Sequence, residues 1–351
     1  MIDLFPLARP FLHRMDPEEA HGLTLKLLAA GMVPQVPIPP LPRLATHIIG
    51  RDLPHPLGLS AGFDKNARAF HQFPRLGVSF GEIGGVTPLP QIGNPRPRLF
   101  RLSADQAIIN RMGFNNEGMA AVAARFAARK TPGQIVGVNL ASNADSADPA
   151  NDFVLLARAF APQADFLTLD ISCPNTANGK MFLSPGPLRD LLDRLAALFA
   201  TPGLKRPPLV AKIAPDIDEA GLDAVLEVLL EKGIDALTLS NTTLARPDTL
   251  RSSEKNERGG LSGPPLFAAS TDILRKVFCR TRGCLPLIGV GGISSGADAY
   301  AKIKAGASAL QLYTALVYQG PWAVRRILVE LDQLLAHDGH ARLVEAVGVE
   351  A

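Results

Sequence analysis

The sequence predicts a (β/α)8 barrel, the TIM-barrel class of α/β fold, with a short helical extension at its N-terminus. Three observations predict it. After residue 42, eight short apolar runs alternate with helix-like segments. The runs are near-continuously hydrophobic, as parallel strands are when both faces are covered. Nearly every run ends in a polar residue or glycine, and in a barrel the C-terminal ends of the strands converge on the one face that carries chemistry. At 351 residues, 47 % hydrophobic and 20 % charged, the chain accommodates a barrel of roughly 250 residues plus an extension.

The extension comes first in the chain. In "MDPEEAHGLTLKLLAAGM", Asp16 is placed as the N-cap of a helix, with Pro17 at its first position, Glu19 at the capping-box position and Gly31 at the stop. Ala20, Leu23, Leu27 and Ala30 share a face of this helix. Ahead of it Leu4, Phe5, Leu7, Phe11 and Leu12 are apolar, but Pro6 and Pro10 permit only a short or broken helix. "PQVPIPPLP", Pro34 to Pro42, reads as a stiff extended linker. Residues 1–42 are therefore an amphipathic helical extension with a Pro-rich linker, and residues 43–351 are the barrel. Such an extension either caps the barrel or lies on a membrane surface and admits a lipid-like substrate.

The eight strands are expected in "HPLGLSAG", "FGEIGGVT", "QIVGVNL", "DFLTLDIS", "PLVAKIA", "DALTLSN", "LPLIGVGG" and "ALQLYTA". Stretches such as "LRDLLDRLAALFA" and "AGLDAVLEVLLEKG" supply helices between them. A formal charge of +3 is too mild to imply nucleic acid. The three cysteines, Cys173, Cys279 and Cys284, have neither disulfide-framework nor metal-ligand spacing, so no metal is expected. No stretch approaches the roughly 18 apolar residues of a membrane span, and the first residues do not read as a signal peptide.

The strand ends define a candidate pocket. "GVGGIS" after the seventh strand and "YTA" after the eighth stand where barrels often bind a phosphate through backbone N–H groups, and "GGLSG" offers another bare backbone approach. Lys212 lies inside an apolar run, so it must meet an anion or a salt-bridge partner or give up its charge. Asn110, Asn139, Asn175 and Asn241 stand at strand ends or in following loops; each offers two donors and an acceptor to an amide-rich planar ligand. In "DFLTLDISCPNT" the fourth run delivers Cys173 to the strand end, where Pro174 stops the ladder.

These residues resemble the dihydroorotate dehydrogenase family, and in particular its quinone-dependent class. The resemblance runs over almost the whole chain: "MDPEEAH", "GLSAGFDKN", "VTPLPQIGNPRPRLFRL", "NRMGFNNEG", "GVNL", "SCPNT", "KIAPDI", "SNTTLARP", "GGLSGPPL", "IGVGGISSG" and "QLYTALVYQGP". It implies oxidation of dihydroorotate to orotate in pyrimidine (UMP) synthesis. FMN would be the redox carrier, ubiquinone or a related quinone the acceptor, and the protein would sit peripherally on the cytoplasmic face of the membrane through its N-terminal helices. FMN would be held by Ala61, Gly62, Lys65, Asn139, Lys212, Ser240, Gly263, Gly292, Tyr313 and Thr314. Dihydroorotate would be held by Lys65, by the loop Asn110, Arg111, Met112, Gly113 and Phe114, and by Asn175, Asn241 and Thr242. Cys173 stands at the position of the base that removes a proton from substrate carbon 5 while a hydride leaves carbon 6.

The sequence departs from the quinone class in places. "SCPN" is similar to the soluble class, where the quinone class has "SSPN". Asp170 replaces an asparagine facing flavin and substrate, Gly85 replaces a Thr or Ser at the flavin, and "TANGKMFLSPGP" differs from the usual "TPGLR" loop. A soluble-type enzyme using fumarate or NAD is therefore a rival reading. From other classes, the rivals are a phosphate-binding barrel lyase with Lys212 as Schiff base and a non-catalytic flavin-binding or membrane-surface module.

Overall fold

A computed structural model describes residues 3–129, 133–172 and 179–351. Eight parallel strands close into a barrel: β1 (Leu57–Asp64), β2 (Phe80–Val86), β3 (Ile135–Leu140), β4 (Phe166–Asp170), β5 (Leu209–Ile213), β6 (Ala236–Leu239), β7 (Leu287–Val290) and β8 (Ala309–Leu312). Each lies on its predicted run, with β1 continuing to Asp64. Consecutive strands pair in parallel, and β8 closes on β1 with Leu310 opposite Leu57. The outer helices are amphipathic for the expected reason. Pro185–Phe199, for example, buries Leu188, Leu191, Leu192, Leu195 and Leu198 against the sheet, each buried leucine contributing about 1.5–3 kcal/mol of transfer free energy.

The barrel interior is packed in layers. Phe80 and Phe166, at the starts of β2 and β4, fill the space that side chains at Gly58 and Gly137 would occupy; a Cβ on Gly58 would come within 2.5 Å of Phe80, and one on Gly137 within 2.2 Å of Phe166. Below them a small antiparallel pair, Thr46–Ile48 with Arg51–Leu53, brings Ile48, Ile49 and Leu53 against the strand starts and seals that end. The opposite, C-terminal end stays open. It is flanked by an antiparallel sheet of Leu99–Leu102, Ala107–Asn110 and Gly260–Ser262 that the sequence reading did not foresee.

Two helices cover the mouth. α1 (Phe5–Arg14) is short but unbroken despite Pro10, and none of its side chains is buried. Pro6 falls in the first turn, where no intrahelical N–H is needed. At the other end the Arg101 guanidinium donates to the carbonyls of Leu12, His13 and Met15 at 2.9–3.1 Å, satisfying groups a helix terminus leaves without partners. α2 (Pro17–Ala29) starts as predicted, Asp16 accepting from the N–H groups of Glu18 and Glu19. Glu18 ties it to the barrel through Arg98 at 2.6 Å and Arg96 at 2.9 Å. The Pro-rich segment is more than a spacer, since Val36 is buried and its N–H donates to the Arg75 carbonyl. Among the described residues no helix is long and apolar enough to cross a membrane.

Candidate active site

The open end of the barrel leads into a cavity of about 540 Å³, within the range of small-ligand sites. Its walls gather residues far apart in sequence. From the strand ends come Ala61, Gly62, Lys65, Gly85, Asn139, Asp170, Lys212, Ser240, Gly292, Tyr313 and Thr314, and Gly263 joins them from the flanking sheet. Asn110, Met112, Gly113 and Phe114 form one side, with Asn241 and Thr242 nearby. Cys173 and Asn175 lie outside the described residues.

Several polar groups on the cavity wall make no hydrogen bond among the described residues. Both amide atoms of Asn139 are buried without a hydrogen bond, a costly state unless a ligand supplies the missing partner. Lys212 is buried, and its ammonium forms no hydrogen bond or ion pair among the described residues. Gly292 is buried with φ +75°, and its N–H has no partner among the described residues. A planar ligand with amide-like edges and an anionic end meets all three needs.

Asp170 and Lys212 face each other in register on β4 and β5. Burial pushes the Asp170 carboxyl up to about 6, against the opposing pull of Lys212 and of the Asn241 amide. Asn241 Nδ2 donates to Asp170 Oδ1 at 3.1 Å, and Asn241 Oδ1 accepts from the Thr242 N–H at 2.8 Å. The two bonds fix which end of the Asn241 amide faces which neighbour. On the loop side, Lys65 donates to Asn115 Oδ1 at 2.9 Å. The residue before it is structural, since the buried Asp64 carboxylate accepts from the N–H groups of Arg68, Ala69 and Phe70 and so shapes the turn that presents Lys65.

Arg111 corrects the sequence reading. Its backbone belongs to the wall-forming loop, but its guanidinium turns away to Glu257 at 2.6 Å and the Pro97 carbonyl at 2.9 Å, and it stacks over Phe100. An arginine with carboxylate, carbonyl and aromatic partners at the loop edge is fully engaged there. Thr87, a strand-end signal in the sequence, also serves structure: it donates to the Leu89 carbonyl and accepts from Asn116.

The cavity does not end at the barrel. Leu4, Phe5, Ala8, Leu12, Leu27 and Met32 of the extension line its outer part. His21 of α2 reaches the Tyr313 hydroxyl at 3.4 Å and packs edge-on against Phe63. Burial, with the Lys65 charge as a second cause, lowers the His21 imidazole to about 4, so it is neutral near pH 7. Sequence reading missed His21 and Arg101 as wall residues, although "MDPEEAH" already marks the histidine. It also missed Gln311, which donates to Glu82 at 2.5 Å inside the barrel; a polar residue within each of two otherwise apolar runs was the available signal.

A family model for dihydroorotate dehydrogenase matches residues 43–335. A protein of Cereibacter sphaeroides named dihydroorotate dehydrogenase (quinone) is 51 % identical over 338 residues, covering 96 % of this chain and 95 % of its own. One of the same name from Azorhizobium caulinodans is 46 % identical over 356 residues, covering 99 % of each chain. A crystal structure of ligand-free DHODH from Eimeria tenella superposes with a TM-score of 0.92 at 37 % identity, covering 95 % of this chain and 99 % of that one. The extension is covered by these full-length matches as well as the barrel. With the barrel, its polar mouth and the sequence match in agreement, the chain belongs to the dihydroorotate dehydrogenase family of flavin-dependent oxidoreductases.

Proposed function

We propose that the protein oxidises dihydroorotate to orotate for pyrimidine synthesis with FMN as its flavin, and passes the electrons to a ubiquinone-type acceptor at a membrane surface. The observation that carries the reading is a set of buried polar groups that make no hydrogen bond among the described residues, the Asn139 amide, the Lys212 ammonium and the Gly292 N–H, on the walls of one cavity. In this reading residues 43–351 are the FMN-binding barrel and residues 1–42 the membrane-facing extension. Ala61, Gly62, Lys65, Gly85, Asn139, Asp170, Lys212 and Ser240 hold the ring system, while Gly263, Gly292, Tyr313 and Thr314 hold the phosphate. Bound FMN supplies the acceptor for the two electrons and the hydrogen that leave the substrate.

The chain's own residues do the rest. Lys65, Asn110, Asn175, Asn241 and Thr242 hold the carboxylate and imide edges of dihydroorotate, with Met112, Gly113 and Phe114 forming the wall beside it and Asp170 in reach of both ligands. Cys173 takes the proton from carbon 5. The positive charge of Lys212 favours the electron-rich state of the site after reduction. α1, α2 and the Leu99–Asn110 hairpin exclude water from the mouth. The extension's exposed Leu4, Leu7, Phe11 and Met32 face the lipid on the cytoplasmic side, and the apolar outer cavity admits the quinone. The quinone in the names of the relatives supports this class over a soluble one.

The test is anaerobic mixing of the purified protein with dihydroorotate. The visible flavin absorbance should bleach, and a quinone should restore it. General-base help is worth about 10²- to 10⁴-fold, so Cys173→Ala should slow bleaching by that order while orotate still binds. Bleaching at the wild-type rate in Cys173→Ala would assign the proton to another residue, and a colourless protein would overturn the flavin reading.

A further inference from the structure

Lys302 is a fully buried lysine outside the cavity wall, in the helix Gly296–Lys304 that follows the "GVGGISSG" turn. Its ammonium donates to Ser270 Oγ at 2.7 Å and Thr271 Oγ1 at 3.1 Å, and lies 5.2 Å from the centre of the Phe267 ring. All three partners are uncharged and sit at the start of helix Phe267–Thr281, where a cation is opposed by the helix dipole. From β7, Gly289 packs against its stem. Asp298, one turn back on its own helix, is the one charged group acting on it, and that carboxylate already accepts from the Ser294 N–H and hydroxyl. Its place in the last turn of its own helix offsets that dipole, but a buried cation with no carboxylate contact is still expensive.

Ser270 links Lys302 to the cavity. Because the serine oxygen accepts from the ammonium, its own proton turns to carbonyls, and it is shared between Phe267 O at 3.0 Å on its own helix and Gly291 O at 3.1 Å on the cavity side. In a trans peptide the C=O and N–H point in opposite directions. Fastening Gly291 O to Ser270 therefore turns the Gly292 N–H, which has no partner among the described residues, toward the opposite side, where both glycines line the cavity. We propose that Lys302 is a positioning residue for the flavin phosphate: through Ser270 it sets the Gly291–Gly292 peptide, and its charge makes the site select a phosphorylated flavin over riboflavin. This rests on the flavin reading above. Burial lowers Lys302 to about 7, which weakens its hold on the charge near neutral pH, and a phosphate bound nearby would favour the charged form.

The experiment equilibrates the holoenzyme with mixtures of FMN and riboflavin and measures the protein-bound ratio by chromatography. Wild type should prefer FMN, and Lys302→Met should lose that preference by about tenfold or more, the scale of one hydrogen bond to a charged group. Ser270→Ala should lose part of it with the lysine intact. In wild type the preference should weaken as pH rises above about 7, a readout needing no variant and one that simple packing would not move. An unchanged ratio in Lys302→Met, or a wild-type preference flat in pH, overturns the proposal while leaving the flavin reading standing. Absence of any bound flavin in wild type would overturn the reading itself.

Discussion

Asp170 is the residue whose chemistry most separates this chain from the pattern it resembles. With its carboxyl pushed up to about 6 by burial, it is neutral below that pH and anionic above it. An anionic product such as orotate therefore meets a like charge only on the alkaline side, and its affinity should rise as pH falls through about 6. At an effective dielectric of about 20, like charges roughly 10 Å apart repel by about 1.7 kcal/mol. Asp170→Asn should thus tighten orotate about tenfold at neutral pH and flatten the pH dependence, as read by flavin spectral titration. Equal affinity in both proteins at neutral pH would mean that Lys212 cancels the charge. Gly85 gives a second test. A Cβ there would lie 2.9 Å from Phe114 and 3.1 Å from Asn139 Oδ1, so Gly85→Thr cannot simply restore the usual residue. It should push Phe114 aside and weaken both flavin retention and orotate binding, measured in the same titration. Residue type at strand ends revealed Lys65, Asn139, Lys212 and Asn241, whereas Asp170 and Gly85 came only from the family resemblance, and all six lie on the cavity wall. The sequence reading failed at Arg111, because which way a long side chain turns depends on partners such as Glu257 and Phe100 that come from other segments.

At the scale of elements, the eight strands were legible because burial on both faces leaves no polar alternation to confuse the period. α2 was legible through its cap. The Leu99–Asn110 hairpin was not: its strands are short, and "RPRLFRL" carries arginines whose partners, Glu18 and the carbonyls of α1, lie in the extension. α2 also carries a pH-dependent contact. His21, lowered to about 4 by burial, ordinarily takes up a proton near 6.5. Between those values the unfolded or undocked helix binds more protons than the docked one, so docking weakens as pH falls from about 6.5 to about 4. Hydrogen exchange corrected for intrinsic rates should show protection of Pro17–Ala29 declining over that window. In His21→Phe, which keeps the aromatic packing on Phe63, the decline should vanish. If protection in wild type is constant with pH, His21 does not govern docking.

For the whole molecule, the proposed function divides the work between the extension and the barrel, and the division predicts what survives their separation. The barrel core, from the Phe80 and Phe166 layer up to the polar cavity, is built by residues after 42, and the groups proposed to hold FMN and dihydroorotate all come from it. The extension contributes the apolar outer cavity and the exposed Leu4, Leu7, Phe11 and Met32. Its docking is polar as well as apolar: Arg98 gives two bonds to Glu18, and Arg101 gives three to α1 carbonyls and Met15. Deleting residues 1–40 removes those acceptors, and it exposes Phe63, Leu76 and Tyr313 at the mouth. The truncated protein should therefore keep its flavin and still be reduced by dihydroorotate in anaerobic stopped-flow. Steady-state turnover with a quinone and co-sedimentation with lipid vesicles should both be lost. Arg101→Ala, which frees only the end of α1, should weaken quinone turnover without touching flavin reduction. If the truncated barrel reduces quinone as fast as the full chain, the apolar outer cavity is not the quinone's route, and electrons must leave the flavin through the same opening the substrate uses.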